Sequence, residues 1–291
     1  MKGILNLLKP PGMTSHDAVS EIRRLTGIRK IGHTGTLDPG AAGVLPLCIG
    51  QATRVAEYVQ NMDKTYRAEL KLGTATDTED AAGNIIEEKP VPRISFADVE
   101  KLLAGFVGKR LQTPPMYSAV RIKGKRLYEI ARQGRVVERR PRLVQFYKLR
   151  LLQLQENKIL FDVTCSRGTY IRSLCRDIAE ALGTVGHMSF LLRVSVGPFT
   201  IANSLTLEEC KLLQAESKLA EALLPLDSAL VLLPYINISV MEAQQLKQGR
   251  WIKRANLPPE GTLVRVYDPA RQLVAIAQIK KNSVRPQKVF T

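Results

Sequence analysis

Acidic residues are scarce in this chain: 27 Asp and Glu stand against 43 Lys and Arg, leaving a formal charge of +16 and a pI near 9.9. So one-sided a balance points to a polyanionic partner, nucleic acid before membrane. Long apolar runs are also missing. Nothing approaches the roughly 20 consecutive apolar residues that cross a bilayer, which excludes a spanning helix. The start, Met1 to Pro11, has few apolar residues before Lys9-Pro10-Pro11 and no small-residue cleavage site. It does not read as a signal peptide, so the expected compartment is the cytoplasm. The four cysteines, Cys48, Cys165, Cys175 and Cys210, include no close pair, and His16, His33 and His187 stand apart from them. That excludes a zinc module and a disulfide framework, and the thiols are expected to be reduced and structural. Repeats and low-complexity tracts are absent. A phosphate loop is absent too: Gly27 and Gly32 have the spacing, but His33 stands where that loop needs Lys.

What remains is an ordinary globular composition, 45% hydrophobic and 24% charged over 291 residues, enough for one large domain or two unequal ones. Ala18, Ile22 and Leu25 follow a Thr14/Ser15 cap and precede Gly27, which predicts a short amphipathic helix. Tyr66, Ala68, Leu70 and Leu72 alternate with Arg67, Glu69 and Lys71, the period of a half-buried strand. Ser95 and Asp98 form a capping box ahead of Val99, Leu102, Leu103 and Phe106. Ile159 to Cys165 reads as a strand, Ser166-Arg167-Gly168 as a tight turn, and Ile171 to Leu182 as a helix. After the break at Leu224 to Pro234, a helix over Val240 to Lys247 and strands over Leu263–Tyr267 and Leu273–Ile279 make a small mixed β domain. Strands and helices do not alternate regularly, so the class is α+β rather than a doubly wound parallel sheet.

Arg121 to Arg150 carries eleven basic residues against Glu129 and Glu138, +9 of the total charge. A charge run is often only a solvated face. Neutralising a phosphate backbone, however, needs several cations within reach of one strand, and here they are adjacent.

The densest group of unusual residues is Gly32-His33-Thr34-Gly35-Thr36-Leu37-Asp38-Pro39-Gly40-Ala41-Ala42-Gly43-Val44-Leu45, an irregular loop around a single carboxylate. Alone, Asp38 before Pro39 fits an Asx turn. The wider context is more specific. In one order along most of the chain come the opening Asn6-Leu7-Leu8-Lys9-Pro10-Pro11-Gly12, this loop, Lys64-Thr65-Tyr66, Arg167-Gly168-Thr169-Tyr170-Ile171-Arg172, and Leu191-Leu192-Arg193 to Gly197-Pro198-Phe199. Together they resemble the TruB family of tRNA pseudouridine synthases. Gly40 and Ala42 depart from the commonest family pattern, which has a larger apolar residue and Thr there; neither departure touches Asp38.

The resemblance implies a pseudouridine synthase fold: a mixed, largely antiparallel central sheet flanked by helices over 1–228, with a basic RNA-clamping insertion at about 112–150. A PUA-like RNA-binding β domain would follow over 229–291. It implies isomerisation of the T-loop uridine of tRNA, position 55, after base flipping, with no cofactor, no metal and no membrane, by a monomer. Carried over, Asp38 is the catalytic aspartate, as nucleophile at C1′ or base at the sugar. Arg172 pairs with it, and Tyr66 stacks on the uracil and relays the C5 proton. Tyr170 and Leu191 line the base pocket, His33 packs where the flipped nucleotide left a gap, and Lys64 holds the site or a phosphate. Two other classes fit the residues less well: a passive RNA-binding or RNA-folding protein, and a glycosidase working with paired carboxylates.

Overall fold

The computed structural model describes residues 1–122 and 124–290; Lys123 of the basic run lies outside the described residues. Four of its helices open on the same local device. Thr14 with Asp17, Ser95 with Asp98, Thr206 with Glu209 and Ser239 with Glu242 are reciprocal capping boxes, each satisfying amide donors that a helix start leaves free. They start helices Ser15–Thr26, Phe96–Phe106, Leu207–Ala215 and Val240–Lys247. The helix Ile171–Ala181 instead follows the Gly168 turn, where φ of +79° suits glycine.

The main sheet runs Gly3–Lys9, Ala42–Ile49, Gly186–Val196, Lys64–Leu72, Lys158–Cys165, Arg142–Gln155, Gly108–Gln112, with Ile31–His33 added to the second strand and Phe199–Thr200 to the third. Its neighbours are antiparallel except where Gly186–Val196 meets Ala42–Ile49 in parallel, through Leu192 opposite Ala42 and Arg193 opposite Gly43. Period-two patterning assigns the two faces. Tyr66, Ala68, Leu70 and Leu72 turn inward beneath Ile22, Val99, Leu103, Leu174 and Ile178 of the helices. Their alternates form a polar outer face, with Arg67 and Arg150 on Asp162 and Lys158 on Glu69.

The basic run divides. Arg121–Ile122 and Lys125–Arg126 form a short ribbon and Leu127–Ala131 a helical turn, whereas everything from Arg142 on belongs to a central strand. The excursion from the sheet therefore ends before Arg142 rather than at 150. The second sheet runs Tyr235–Asn237, Leu263–Tyr267, Leu273–Lys280, Ser283–Val289, Ile252–Lys253. It has a core of its own around Leu246, Val264 and Ile279. Ile276 and Phe290 join Ile4, Val44, Val55, Ala229 and Leu230 in a shared core, and Lys288 Nζ lies 2.6 Å from Glu57 Oε1. The two sheets are thus packed together. No helix among the described residues is long and apolar enough to cross a membrane.

All four cysteines are buried and free. Burial pushes the Cys48 and Cys165 thiols up to about 12 and Cys210 up to about 11, and Cys175 is driven in the same direction. Since the thiolate is the reactive species, the native protein should release no thionitrobenzoate from Ellman's reagent within minutes, and should titrate all four thiols once unfolded. Rapid labelling of the native chain would contradict this burial.

Candidate active site

The loop between Ile31–His33 and Ala42–Ile49 is held from several sides. Thr34 N donates to Pro46 O at 3.1 Å, and Gly12 N to Pro39 O at 2.9 Å. Ser15 Oγ accepts from Leu37 N at 2.8 Å and donates to Leu37 O at 3.1 Å. Lys9, wholly buried, donates from Nζ to Pro10 O and Met13 O, both at 2.8 Å, and to Pro39 O at 3.4 Å. Burial pushes its ammonium down to about 8, with Arg193 acting in the same sense. Leu37 and Ala41 are anchored in the core, and Asp38 between them keeps its side chain 38% exposed.

That carboxylate reaches a guanidinium rather than its own backbone. Arg172, from the first turn of Ile171–Ala181, places Nε 3.1 Å from Asp38 Oδ2, with only 7% of its side chain exposed. The same guanidinium donates to Thr78 O at 3.0 Å and Tyr117 O at 2.9 Å, and lies 3.6 Å from Asp80 Oδ2. Asp80 is fixed in turn by Thr78 Oγ1 at 2.6 Å and Ala82 N at 3.1 Å. One buried arginine therefore ties together the loop, the 77–84 hairpin and the chain at Tyr117, in a fork geometry lysine cannot reproduce.

Tyr66, on the strand Lys64–Leu72, is almost fully buried and lies within electrostatic reach of Asp38. Burial pushes its phenol up. The Arg193 charge, together with a hydrogen bond from that guanidinium, opposes the shift, whereas Cys165 and Asp38 add to it. Arg193 donates from Nε to Val44 O at 2.6 Å and from Nη2 to Gly35 O at 3.2 Å. Gly43 makes this approach possible. At φ +120° a Cβ there would sit 2.3 Å from Arg193 O and 2.6 Å from Arg193 N. Gly43→Ala should therefore lose about 3 kcal/mol or more of stability, since backbone on both sides has nowhere to move. A melting temperature within a few degrees of the parent would show that the junction can open.

Models of known families match along most of the chain. The model of the TruB family pseudouridylate synthase N-terminal domain matches residues 23–171, that of the tRNA pseudouridylate synthase B C-terminal domain residues 172–231, and that of the TruB pseudouridine synthase II C-terminal region residues 234–290. The chain belongs to the TruB family of pseudouridine synthases. The tRNA pseudouridine synthase B of Caldanaerobacter subterraneus subsp. tengcongensis is 44% identical over 289 residues, 99% of each chain. That of Clostridioides difficile is 40% identical over 302 residues, covering both chains fully. A chain in the crystal structure of a Cbf5-Nop10-Gar1 complex superposes with a TM-score of 0.76 at 27% identity, over 99% of this chain and 85% of that one.

Within this TruB-family fold, the residues singled out from sequence fall into two groups. Asp38, Tyr66, Arg172 and Leu191 converge on the inner face of the sheet, Leu191 opposite Ala68 and packed in the main core. Tyr170 leads into the Arg172 helix, its backbone N and O bonded to the Gln112 side chain at 2.8 and 3.0 Å. His33 is half-buried and accepts from Gly35 N at Nδ1, 3.3 Å away; burial first, then Arg193 and His16, push its imidazole down and keep it neutral. Lys64 is turned differently. Its ammonium is buried against Gln60 O and Met62 O and pushed down to about 8 by burial, with Arg193 adding to the shift, so it closes the preceding helical turn rather than facing solvent.

Sequence reasoning missed Lys9, Asp80 and the role of Arg193 in fixing the loop. A signal for Asp80 existed: Asp77, Glu79 and Asp80 crowd one turn of a chain poor in acid. Among the described residues, no three His, Cys, Asp or Glu side chains gather as a metal site would require.

Proposed function

We propose that the chain isomerises the T-loop uridine at position 55 of tRNA to pseudouridine, with Asp38 at the ribose. The observation that carries this reading is the Asp38–Arg172 pair at 3.1 Å, its carboxylate partly open to solvent and within electrostatic reach of the buried Tyr66. An ionised carboxylate is what the reaction needs, because positive charge develops at C1′ as the glycosidic bond breaks, or a sugar proton is removed. The guanidinium beside it sets a positive charge against that carboxylate and fixes its direction. Tyr66 supplies a face for the flipped base and Leu191 and Tyr170 a wall for it. A neutral His33 suits an apolar gap in the RNA. The enzyme acts as a monomer in the cytoplasm and requires neither metal nor cofactor.

The deciding experiment incubates the protein, with EDTA present, with a T-arm hairpin that needs no magnesium to fold, and maps pseudouridine by chemical derivatisation and mass spectrometry. Product at the T-loop uridine is expected. Bound RNA with none would overturn the reading.

The excursion before Arg142 supplies cations to the phosphate backbone in this reading. Arg139 is bonded to Pro114 O at 3.0 Å, so the exposed Arg135 and Arg140, with Arg142 where the strand begins, are the better targets. Replacing all three by Ala should weaken binding and reduce the slope of log affinity against log salt by about 0.7–0.9 for each phosphate no longer neutralised, with single-turnover rate at saturating RNA little changed. An unchanged slope would make the run a solvated face.

A further inference from the structure

Arg193 is 1% exposed, in the middle of the sheet, and no described carboxylate pairs with it. It donates to three carbonyls, Val44 O at 2.6 Å, Gly35 O at 3.2 Å and Thr36 O at 3.5 Å, and also bears on the Tyr66 phenol. Burying a guanidinium without a countercharge is unfavourable, and an apolar side chain could fill the same space. Loop fixing alone therefore leaves the charge unexplained. Arg193 lies opposite Tyr66 in the antiparallel register, so both side chains share the inner face. Around it, Lys9, His33 and Lys64 are all disfavoured in their charged forms by its presence, whereas the Tyr66 phenol, pushed up overall by burial, is drawn back toward its charged form by it. The titratable and charged groups facing that phenol are Arg193 from Gly186–Val196, Cys165 from Lys158–Cys165 and Asp38 from the loop.

We propose that Arg193 is the positioning residue that makes Tyr66 a proton acceptor, fixing the phenol oxygen and balancing the negative charge it holds. This rests on the reading of Tyr66 as the group that takes the C5 proton. In that step uracil is already joined to C1′ through C5. The C5–H bond breaks and its proton passes to the Tyr66 phenolate; the electron pair forms the C5–C6 double bond, and the former C6–N1 π pair goes to N1, which gains a proton from solvent. The phenol returns its proton to solvent, so nothing is oxidised and no co-reactant is consumed. Arg193 touches neither base nor ribose; it acts through the tyrosine.

The test uses Arg193→Gln, uncharged, and Arg193→Lys, charged but without the fork. Each keeps a donor for the loop carbonyls, so the experiment proceeds with whichever melts cooperatively. Tyr66 is titrated from the tyrosinate absorbance difference between each chain and its Tyr66→Phe counterpart. Single-turnover rate on the T-arm hairpin is followed against pH, with protium or deuterium at uridine C5. The expected result is a Tyr66 titration and a rate limb displaced together to higher pH, by about one unit or more for Gln, which is about tenfold in rate at neutral pH. Lys should fall between Gln and the parent. A deuterium isotope effect should emerge while RNA affinity stays within a few-fold. Replacing the tyrosines with a more acidic fluorotyrosine should move the displaced limb back. A rate loss that follows melting temperature, with titration and limb unmoved, would reduce Arg193 to a peg for the loop and overturn the proposal. If instead Tyr66→Phe loses C5 deuterium as fast as the parent, the reading of Tyr66 itself fails.

Discussion

Asp38→Asn should bind tRNA within about threefold of the parent and turn over slower by on the order of 10³–10⁴, the range expected when a charged group is removed from a preorganised site. The amide keeps the shape of the side chain, and the loop that carries it is fixed by Lys9, Gly12, Ser15 and Arg193 rather than by the carboxylate. Binding and chemistry therefore separate cleanly. What disappears is the negative charge, leaving Arg172 with Asp80 at 3.6 Å as its remaining ion-pair partner. Filter binding and single-turnover conversion of the same hairpin measure both quantities. Turnover within tenfold of the parent would mean that another carboxylate does the work.

Arg172→Met should damage both stability and rate. It removes the bonds to Asp38, Asp80, Thr78 O and Tyr117 O at once, leaving two carboxylates close together without their shared cation. Loss of one partner from a largely buried pair costs about 2–4 kcal/mol after allowance for the exposure of Asp38. The rate should fall by about 10³, because Asp38 is neither oriented nor balanced in charge. Arg172→Lys discriminates: a single ammonium can serve Asp38 or the hairpin, but not both with the geometry of the fork. It should regain part of the stability and little of the rate. Full recovery with Lys would show that charge alone matters there.

How much of this is legible in the sequence depends on how local each feature is. The capping box of Ser95 with Asp98 and the alternation at Tyr66 to Leu72 are written within a few residues and reappear in the structure as a helix over Phe96–Phe106 and a strand over Lys64–Leu72. Ser283–Val289 escapes a sequence reading because Pro286 interrupts the strand pattern; it is accommodated opposite Ala277, beside a register shift. Arg142–Gln155 is hidden by its charge, since basic side chains on the solvated face obscure the inward Val144 and Phe146. Asp38 stands out through its loop. Lys64 also stands out, but its side-chain direction depends on the carbonyls of the preceding helical turn. The charge on Arg193 becomes informative only when its burial is known, and burial at a parallel junction is set by strands far apart in sequence.

That parallel junction has a kinetic meaning. Asp38 arrives on the segment before it, while Tyr66 and Arg172 arrive on the far side, and within the sheet Leu192 opposite Ala42 and Arg193 opposite Gly43 join the two. Parallel pairing closes late because its loop entropy is paid before its contacts form. A chain that collapsed without this closure would have no assembled centre, because Asp38 would not yet meet Arg172. Competence for chemistry is in this sense a certificate of finished folding.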